Sequence, residues 1–217
     1  MNLLFLASAE VFKRRKGNSP FLGEVLASDF ITGAALAQAV GLTAGTLRNS
    51  DEPWLKFKDP IDGKIKYIAK KFIRTGVSWN MLSGLLVVTG KTISINGQMY
   101  RVRLPKTLPD GVNTAVAAVG FDHPVTHGSE WNRLMYHISG KPFTDARNTL
   151  ASEGIEEGDW ATYSETDLNN NQYHGICQEK SNDGYAFLRG ETGVSYVTFA
   201  NASNAYYAWR PVLELIE

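Results

Sequence analysis

The chain has 217 residues, a length that suits one large domain or two small ones. Its 22 basic and 22 acidic side chains give a formal net charge of zero, and apolar residues make up 43% of the chain. Such a chain can bury a hydrophobic core of its own, which excludes wholesale disorder, a collagen-like repeat and a disulfide-stapled miniprotein.

The N-terminal segment, residues 1–52, predicts an arm that carries one helix. Residues 1–9 are apolar, but the basic cluster at 13–16 follows them, whereas a signal peptide carries its charge before the apolar run. No stretch of the chain reaches the roughly 18 apolar residues that a membrane-spanning helix needs. The pattern at 32–41 predicts a helix that Thr32 caps and Gly41 ends. We therefore expect no export signal, no membrane span and an arm that packs on the body.

Residues 53–105 predict two hairpins and a short helix. The alternating runs at 54–58 and 64–69 flank Asp62-Gly63, a strong tight-turn signal. Ser78 is placed to cap a short helix. The runs at 91–95 and 98–104 flank Asn96-Gly97, the dipeptide that a type I′ turn requires.

Residues 106–127 predict a connection, and residues 128–217 predict a helix followed by strands and long polar loops. Trp131, Leu134, Met135 and Ile138 form an i, i+3, i+4, i+7 stripe behind Ser129, as on one face of a helix. Strands are predicted at 175–178, 185–188 and 209–215, the last of them lying beside the start of the fold. We expect three tryptophans to anchor the core: Trp79, Trp131 and Trp209.

The sequence contains none of the common catalytic motifs. It has no phosphate-binding glycine loop, no nucleophile elbow and no H-E-x-x-H. The single cysteine, Cys177, cannot form an intramolecular disulfide, which favours folding in a reducing compartment. His174 lies three residues from it, so on a strand the two side chains point to opposite faces. We therefore expect a buried, inert thiol and a protein that is not an enzyme.

No cofactor or metal site is expected from the remaining polar clusters. Pro124 and Gly128 argue against a helix that would aim His123 and His127 at one ion. The acidic run at 153–159 lacks the ligand order of an EF-hand loop. As an alternative interpretation, the carboxylate and amide oxygens of residues 167–171 could bind calcium.

Aromatic and amide residues are concentrated in the last third of the chain. Tyrosine with Ser, Gly and Asn is typical of recognition loops, and aromatic rings with amides also suit sugars. The alternative is a loop-rich domain whose rings fill its own core. The predicted binding residues are Trp160, Tyr163, Tyr173, Asn201, Asn204, Tyr206 and Tyr207.

Several stretches of the chain carry a family resemblance. The most specific is Trp-Arg-Pro-Val-Leu-Glu-Leu at 209–215, within the ending 207–215. The others are scattered over residues 62–217 and comprise 62–64, 67–71, 78–80, 100–104, 128–135, 176–179 and 188–190. Together these stretches resemble tailed-bacteriophage virion proteins with a C-type-lectin-like fold. The resemblance implies an α+β domain over 53–217, with paired terminal strands and long loops that form a binding face.

The chain lacks motifs on which enzymes and calcium-dependent lectins of this family depend, so neither activity is expected of it. Its relatives include phage receptor-binding proteins and formylglycine-generating enzymes, which use paired or copper-binding thiols, whereas this chain has only Cys177. Calcium-dependent lectins carry Glu-Pro-Asn or Gln-Pro-Asp with Trp-Asn-Asp, and none of these motifs occurs here. The resemblance thus favours direct contact through the loop surface.

Residues 1–110 carry 16 basic and 8 acidic side chains, whereas residues 111–217 carry 6 and 14. Such halves could meet inside one fold, or attach copies of the chain to one another or to a neighbour. No aromatic-interleaved basic stripe accompanies the positive half, so nucleic acid is not an expected partner.

The leading hypothesis is a phage virion structural protein, a tail, neck or capsid-surface appendage assembled in the bacterial cytoplasm. It would be held by residues 1–52, contact other virion proteins and form a homo-oligomer in the particle. The alternative is a carbohydrate-binding adhesin that recognises a glycan or protein on the host surface.

Overall fold

The computed structural model describes residues 20–108, 129–136, 138, 163–168, 172–190 and 193–216. These residues form a sheet-rich fold with few helices, compatible with the predicted α+β class. The strands are β1 (Phe21–Val25), β2 (Thr46–Leu47), β3 (Trp54–Lys58), β4 (Ile65–Ala69), β5 (Arg74–Thr75), β6 (Lys91–Ile95), β7 (Gln98–Arg103), β8 (His174–Lys180), β9 (Tyr185–Gly190), β10 (Gly193–Phe199), β11 (Tyr207–Trp209) and β12 (Val212–Leu215). The helical segments are α1 (Gly33–Val40), α2 (Trp79–Gly84), a π-helical turn (Asn132–Tyr136) and α3 (Glu165–Leu168).

The strands of the described ranges build two six-stranded sheets. The first sheet has the order β1-β3-β4-β12-β7-β6, with every neighbouring pair antiparallel. The second has the order β10-β9-β8-β11-β5-β2, in which β8 and β11 run parallel and the other pairs antiparallel. The finer assignment to a C-type-lectin-like fold stays a prediction.

Both predicted hairpins are present in the first sheet. β3 and β4 pair across the turn that contains Asp62 and Gly63, and Gly63 has a φ of 71°. β6 and β7 pair across Asn96 and Gly97, whose φ values are 51° and 80°. Positive φ at both central residues is what a type I′ turn requires, so the Asn-Gly dipeptide sets this register.

The two predicted caps begin their helices as expected. The Thr32 side chain accepts a hydrogen bond from the Ala35 amide, and Gly41 ends α1 with a φ of 82°. The Ser78 side chain accepts one from the Met81 amide at the start of α2. None of the helices in the described ranges is long and apolar enough to cross a membrane.

Strand β4 is buried on both faces. Alternation along the strand places Tyr67 and Ala69 on one side of the first sheet and Lys66 and Ile68 on the other. Tyr67 and Ala69 belong to the larger hydrophobic core, which α1 covers with its buried side chains. Ile68 is fully buried in a second, smaller core, and Lys66 beside it is only 2% exposed.

The smaller core lies between the first sheet and the described residues 130–136 and 138. The predicted stripe of Trp131, Leu134, Met135 and Ile138 is buried there as a whole. The backbone of this segment includes the π-helical turn, where the pattern predicts a regular α-helix. The stripe packs on four apolar side chains of the sheet: Leu55, Phe57, Ile68 and Val212.

Two of the three predicted tryptophan anchors are buried. Trp131 is 5% exposed and Trp209 is fully buried. Trp79 differs, because it is only half-buried against the larger core. Its indole N–H donates to the carbonyl of Gln178 at 3.1 Å, and the Lys180 ammonium lies 4.6 Å from its ring centroid.

The closing stretch 209–215 is not the single strand that its pattern predicts. β11 belongs to the second sheet and β12 to the first, and the chain crosses between them at Arg210 and Pro211. Proline has no amide hydrogen for a ladder, which explains a break at this point. β12 then pairs with β4 and β7, so it joins the second strand of the first hairpin, and two strands separate it from β1.

Residues 20–52 add their elements to the same body. β1 forms the edge of the first sheet beside β3, and α1 buries Leu36, Ala37 and Val40 in the larger core. Residues 1–19 lie outside the described ranges, and the arm boundary at residue 52 stays a prediction.

Replacing Trp131 by alanine should lower the free energy of unfolding by about 3–5 kcal/mol, because it removes a large ring from the smaller core. Urea unfolding of both proteins measures the change. Leu22→Ala, at a position that is 52% exposed on β1, is the control and should change stability by less than about 0.5 kcal/mol. Equal stability of the Trp131 variant and the wild type would contradict the packing.

Candidate functional site

Three of the predicted binding residues are exposed in the loop that joins β10 to β11. Asn201, Asn204 and Tyr206 are all exposed, and the Tyr206 side chain is 57% accessible. Tyr207 begins β11 and is half-buried. Trp160 lies outside the described residues.

Hydrogen bonds within the loop hold Tyr206 outward. The Asn204 side-chain oxygen accepts from the Tyr206 amide at 3.0 Å, and the Asn204 carbonyl accepts from the Tyr207 amide at 2.9 Å. The half-buried Tyr207 is held by its hydroxyl, which accepts a hydrogen bond from the Thr198 hydroxyl at 2.8 Å. The carbonyl of Tyr206 itself accepts from the His174 amide at 2.9 Å, which ties the loop to β8. Alternation through Tyr206 and Tyr207 thus leaves one ring out and one partly in.

Tyr173 joins Tyr206 at this end of the second sheet. Their ring centroids are 6.5 Å apart, and Tyr173 also lies 6.0 Å from Phe72. The structure therefore brings together Tyr173, Tyr206 and Tyr207, with Asn201 and Asn204 in the adjoining loop. We call Tyr173, Asn204 and Tyr206 the tyrosine surface.

A second aromatic pair, which the sequence pattern does not single out, lies at the opposite end of the second sheet. Phe199 is 57% exposed and stacks on Tyr185 at 4.6 Å between ring centroids. Register places this pair beside the Lys180 end of β8, whereas Tyr206 contacts the His174 end. At about 3.3 Å per residue, the two ends of β8 are about 20 Å apart. The exposed rings thus form two patches.

Tyr163 lies elsewhere, at the β1 edge of the first sheet. Its hydroxyl donates to Glu24 at 2.6 Å, and the Lys70 ammonium lies 4.8 Å from its ring centroid. Burial and the Glu24 carboxylate both raise the pKa of Tyr163. This tyrosine therefore serves a local contact between β1 and its neighbours and is not part of the tyrosine surface.

A buried network of charged side chains occupies the smaller-core face of the first sheet. Strand register places Glu214 of β12 opposite Lys66 of β4 and Arg101 of β7. Arg103, two residues along β7, shares that face. Lys66, Arg103 and Glu214 are respectively 2%, 4% and 6% exposed.

Arg103 and Glu130 form the centre of this network. Two guanidinium nitrogens of Arg103 donate to the two carboxylate oxygens of Glu130 at 2.7 and 2.5 Å. Arg103 also donates to Glu214 at 3.1 and 3.2 Å. Because Glu130 lies at the start of the segment that covers the smaller core, this bidentate pair ties that segment to β7.

Asp59 anchors the other side of the network. It is fully buried and accepts hydrogen bonds from Lys66 at 2.5 Å and from Arg133 at 2.7 and 2.8 Å. The Lys66 ammonium also lies 3.0 Å from Glu130, so it bridges the two carboxylates. Burial alone would raise the pKa of Asp59, but the hydrogen bonds from Arg133 and Lys66 outweigh it and lower that pKa strongly.

The network keeps its groups ionised. Burial opposes the charge on Glu130, yet the Arg103 charge and its hydrogen bonds prevail and lower the pKa of Glu130 to about 2. Burial likewise opposes the charges of Lys66 and Arg103, and the charge and hydrogen bonds of neighbouring carboxylates raise both pKa values. Buried charges are tolerated only when each is paired and hydrogen-bonded, which is the case here.

Sequence reasoning missed this network because a polar position on an alternating strand is ordinarily a solvent-facing one. One signal was available. Glu130 lies four residues before Leu134 and eight before Ile138, which puts it on the apolar side of the predicted helix. An acidic residue on such a face needs a buried cation.

Arg210 and Glu214, four residues apart, have different environments. Glu214 binds Arg103 and Lys64, whereas the Arg210 guanidinium lies 4.1 Å from the Phe72 ring centroid. Arg210 donates through Nη2 to the Leu168 carbonyl, and burial lowers its pKa to about 9. The sheet crossing at Arg210 and Pro211 thus separates the surroundings of these two side chains.

The network opens into a polar cleft of about 320 Å³. Six of the side chains that line it are cationic and three are acidic, so its lining is net positive. Lys64 and Arg101 lie at its mouth with side chains that are 46% and 49% exposed. The cleft therefore offers accessible cations above a base of paired charges.

Cys177 is buried, as its sequence context predicts. Its thiol donates to the Gly175 carbonyl at 3.3 Å, and the residue is fully buried beside Phe187 and Leu108. Burial raises its pKa, although the charges of Arg189 and Arg210 act in the opposite direction. A thiol that resists ionisation is a weak nucleophile.

The metal-ligand candidates fall largely outside the described ranges. These are His123, His127, the acidic run at 153–159 and residues 169–171. Asp167 accepts hydrogen bonds from the amide and hydroxyl of Ser164. Within the residues that the structure does describe, no three His, Cys, Asp or Glu side chains are grouped so that they could hold a metal ion.

The chain matches no family model, and neither a curated protein nor a solved structure has significant similarity to it.

Glu130→Gln should destabilise the fold by about 3–5 kcal/mol at neutral pH, because it leaves the buried charges of Arg103 and Lys66 short of a partner. The folded-state pKa of Glu130, about 2, lies below the ordinary value of 4.5. Its contribution is therefore complete above pH 4.5 and is lost as the pH falls towards 2. Urea unfolding at pH 7, 4.5 and 3 should show a shallower acid loss in the variant.

The control for Glu130→Gln is Asp51→Asn, which neutralises an exposed carboxylate. It should preserve both the stability at pH 7 and the steepness of the acid loss. A Glu130 variant with the acid profile of the wild type would contradict the network.

Cys177 should react with iodoacetamide at pH 8 at least about 100-fold more slowly in the folded protein than in guanidinium chloride, because the thiol is buried and poorly ionised. Mass spectrometry of alkylated protein over time measures both rates. Cys177→Ser controls for labelling at other side chains. Rapid alkylation of the folded protein would show that the thiol is accessible.

Proposed function

We propose that this chain is a non-enzymatic structural protein of a tailed-phage particle, and that its tyrosine surface contacts another protein of the particle. The resemblance of its scattered stretches to phage virion proteins supports the particle assignment. The exposed Tyr206, held outward by a hydrogen-bonded turn on a paired sheet, supports the contact role.

The observation that carries the contact role is the rigidity of the turn under an exposed ring. Tyrosine contributes a large amphipathic contact area and has few torsions to immobilise on binding. Because Asn204 and His174 already hold the backbone of Tyr206, less conformational entropy is lost when a partner covers the ring. Aromatic residues of this kind are enriched among the side chains that dominate binding energy.

The stretches that resemble phage proteins contribute chiefly to the frame. Trp131, Leu134 and Met135 fill the smaller core, and Trp209 and Leu213 fill the larger one. The loop at 200–206 lies outside those stretches. A shared frame with a separate display loop suits a particle protein that presents its own contact surface.

In this proposal, residues 1–52 attach the protein to the particle as a tail, neck or capsid-surface appendage. The halves of opposite charge meet partly inside the fold, where Lys66 and Arg103 bind Glu130, and the charge that remains on each half favours contact between copies. A closed homo-oligomer would use that complementarity repeatedly.

A second candidate is a carbohydrate-binding adhesin on the same particle. It is favoured by the proximity of Tyr173 and Tyr206 to exposed amides, since a sugar can stack on a ring while amides bind its hydroxyls. Both candidate functions use the tyrosine surface, which would bind another particle protein in the first and a carbohydrate in the second.

Antibodies against the chain should detect it in density-gradient-purified particles from the phage that encodes it. Tyr206→Ala should then weaken the partner contact by at least about 30-fold, because it removes an exposed anchor of about 2 kcal/mol. Incorporation per particle, measured by quantitative mass spectrometry, should fall in that variant. Met99→Ala, which removes an exposed side chain from β7, outside both the tyrosine surface and residues 1–52, is the matched control and should be incorporated normally.

The outcomes separate the candidates. Normal incorporation of Tyr206→Ala with reduced adsorption to host cells would favour the adhesin over the particle contact. Absence of the protein from purified particles would overturn both assignments.

A further inference from the structure

We propose that the cleft on the first sheet is a binding site for a small organic anion that also carries a hydroxyl group, of the sugar-acid or sugar-phosphate class. The cleft is lined by the charge network and is formed by residues other than those of the tyrosine surface. This inference does not depend on the proposed function.

Four of the six cations that line the cleft differ in burial: two are buried and bound to buried carboxylates, and two are about half exposed. Lys66 and Arg103 have side chains that are 3% and 5% exposed, and both are bound to buried carboxylates. Lys64 and Arg101 have side chains that are about half exposed and face the mouth. Of these four cations, only Lys64 and Arg101 are placed to meet a ligand from solvent.

The accessible cations share one carboxylate. The Lys64 ammonium lies 2.7 Å from Glu214 Oε1, and an Arg101 guanidinium nitrogen lies 3.9 Å from the same oxygen. The other oxygen of Glu214 already accepts from Arg103. Because Arg103 is already paired with Glu130, the single negative charge of Glu214 is shared by Lys64 and Arg101, which leaves a local excess of positive charge. Because both accessible cations lie within 4 Å of a single atom, one carboxylate or phosphate group can contact both.

Gln178 indicates the second feature of the ligand. It lines the cleft, and its Oε1 atom is buried yet accepts no hydrogen bond from the residues that the structure describes. A buried acceptor without a donor costs free energy, so a ligand hydroxyl that donates to it is favoured. The volume of about 320 Å³ is at the small end of ligand pockets and suits one sugar-sized molecule.

The test is to titrate the full chain with D-glucuronate, glucose 6-phosphate, inorganic phosphate and glucose. Calorimetry measures the affinities, and amide NMR locates the site. We expect glucuronate or glucose 6-phosphate to bind at least about tenfold more tightly than glucose. The strongest amide shifts should occur at Thr89 and Gln178, which both line the cleft. Whichever of the two binds more tightly identifies a carboxylate or a phosphate as the preferred group. Raising the NaCl concentration from 0.02 to 0.5 M should weaken that binding at least about fivefold, because the accessible cations are screened.

Three variants locate the site. Arg101→Gln alone should weaken anion binding. Combining it with Lys64→Gln should weaken anion binding by at least about tenfold. Gln178→Leu should reduce binding of the sugar anions and leave that of inorganic phosphate unchanged. Lys58→Gln replaces an exposed lysine of β3 that does not line the cleft, and should bind as the wild type does.

Urea unfolding shows whether each variant is folded, and the salt dependence of the wild type does not rely on any variant. Failure of both sugar anions to bind at 10 mM would overturn the proposal, as would binding that is insensitive to salt or to the double substitution. Equal loss with Lys58→Gln would show a diffuse charge effect and overturn it as well.

Discussion

The bidentate pair between Arg103 and Glu130 is the contact on which the rest of this structure depends. It joins β7 to the segment that covers the smaller core, and through Glu214 it includes the central strand β12. Charges buried to this degree are stable only when every partner is in place. A slip of one residue in β7 would turn Arg103 into the apolar core on the other face of the sheet, so the network strongly disfavours other registers.

The same network defines a boundary between buried and accessible charge. Lys66 and Asp59 are enclosed and committed to each other, whereas Lys64 and Arg101 remain at the surface. The cleft is net positive because the buried network on the first sheet continues into the half-exposed side chains of Lys64 and Arg101. The structural role of the inner charges thus provides a rigid base for the outer ones, which is the arrangement that preorganised anion recognition needs.

The crossing at Arg210 and Pro211 links this frame to the tyrosine surface. β12 is held by the network in the first sheet, and β11, immediately before the crossing, carries the chain out of the loop that contains Tyr206. Arg210 at the crossing is buried against the ring of Phe72, which lies between β4 and β5, so the two connections between the sheets pack on each other. The exposed ring therefore stands on elements that are fixed at several points, as the proposed contact requires.

The sequence by itself determined the local features: the Asn96-Gly97 hairpin, the caps at Thr32 and Ser78, and the apolar stripe that begins at Trp131. Each depends on dihedral preferences or periodicity within a few residues, which neighbours along the chain suffice to set. Only the tertiary structure decided that Lys66 and Arg103 are buried and that Tyr163 contacts Glu24 and Lys70 and is not part of the tyrosine surface. Burial of a polar position depends on what covers that face of the sheet, and the covering segment comes from a distant part of the chain.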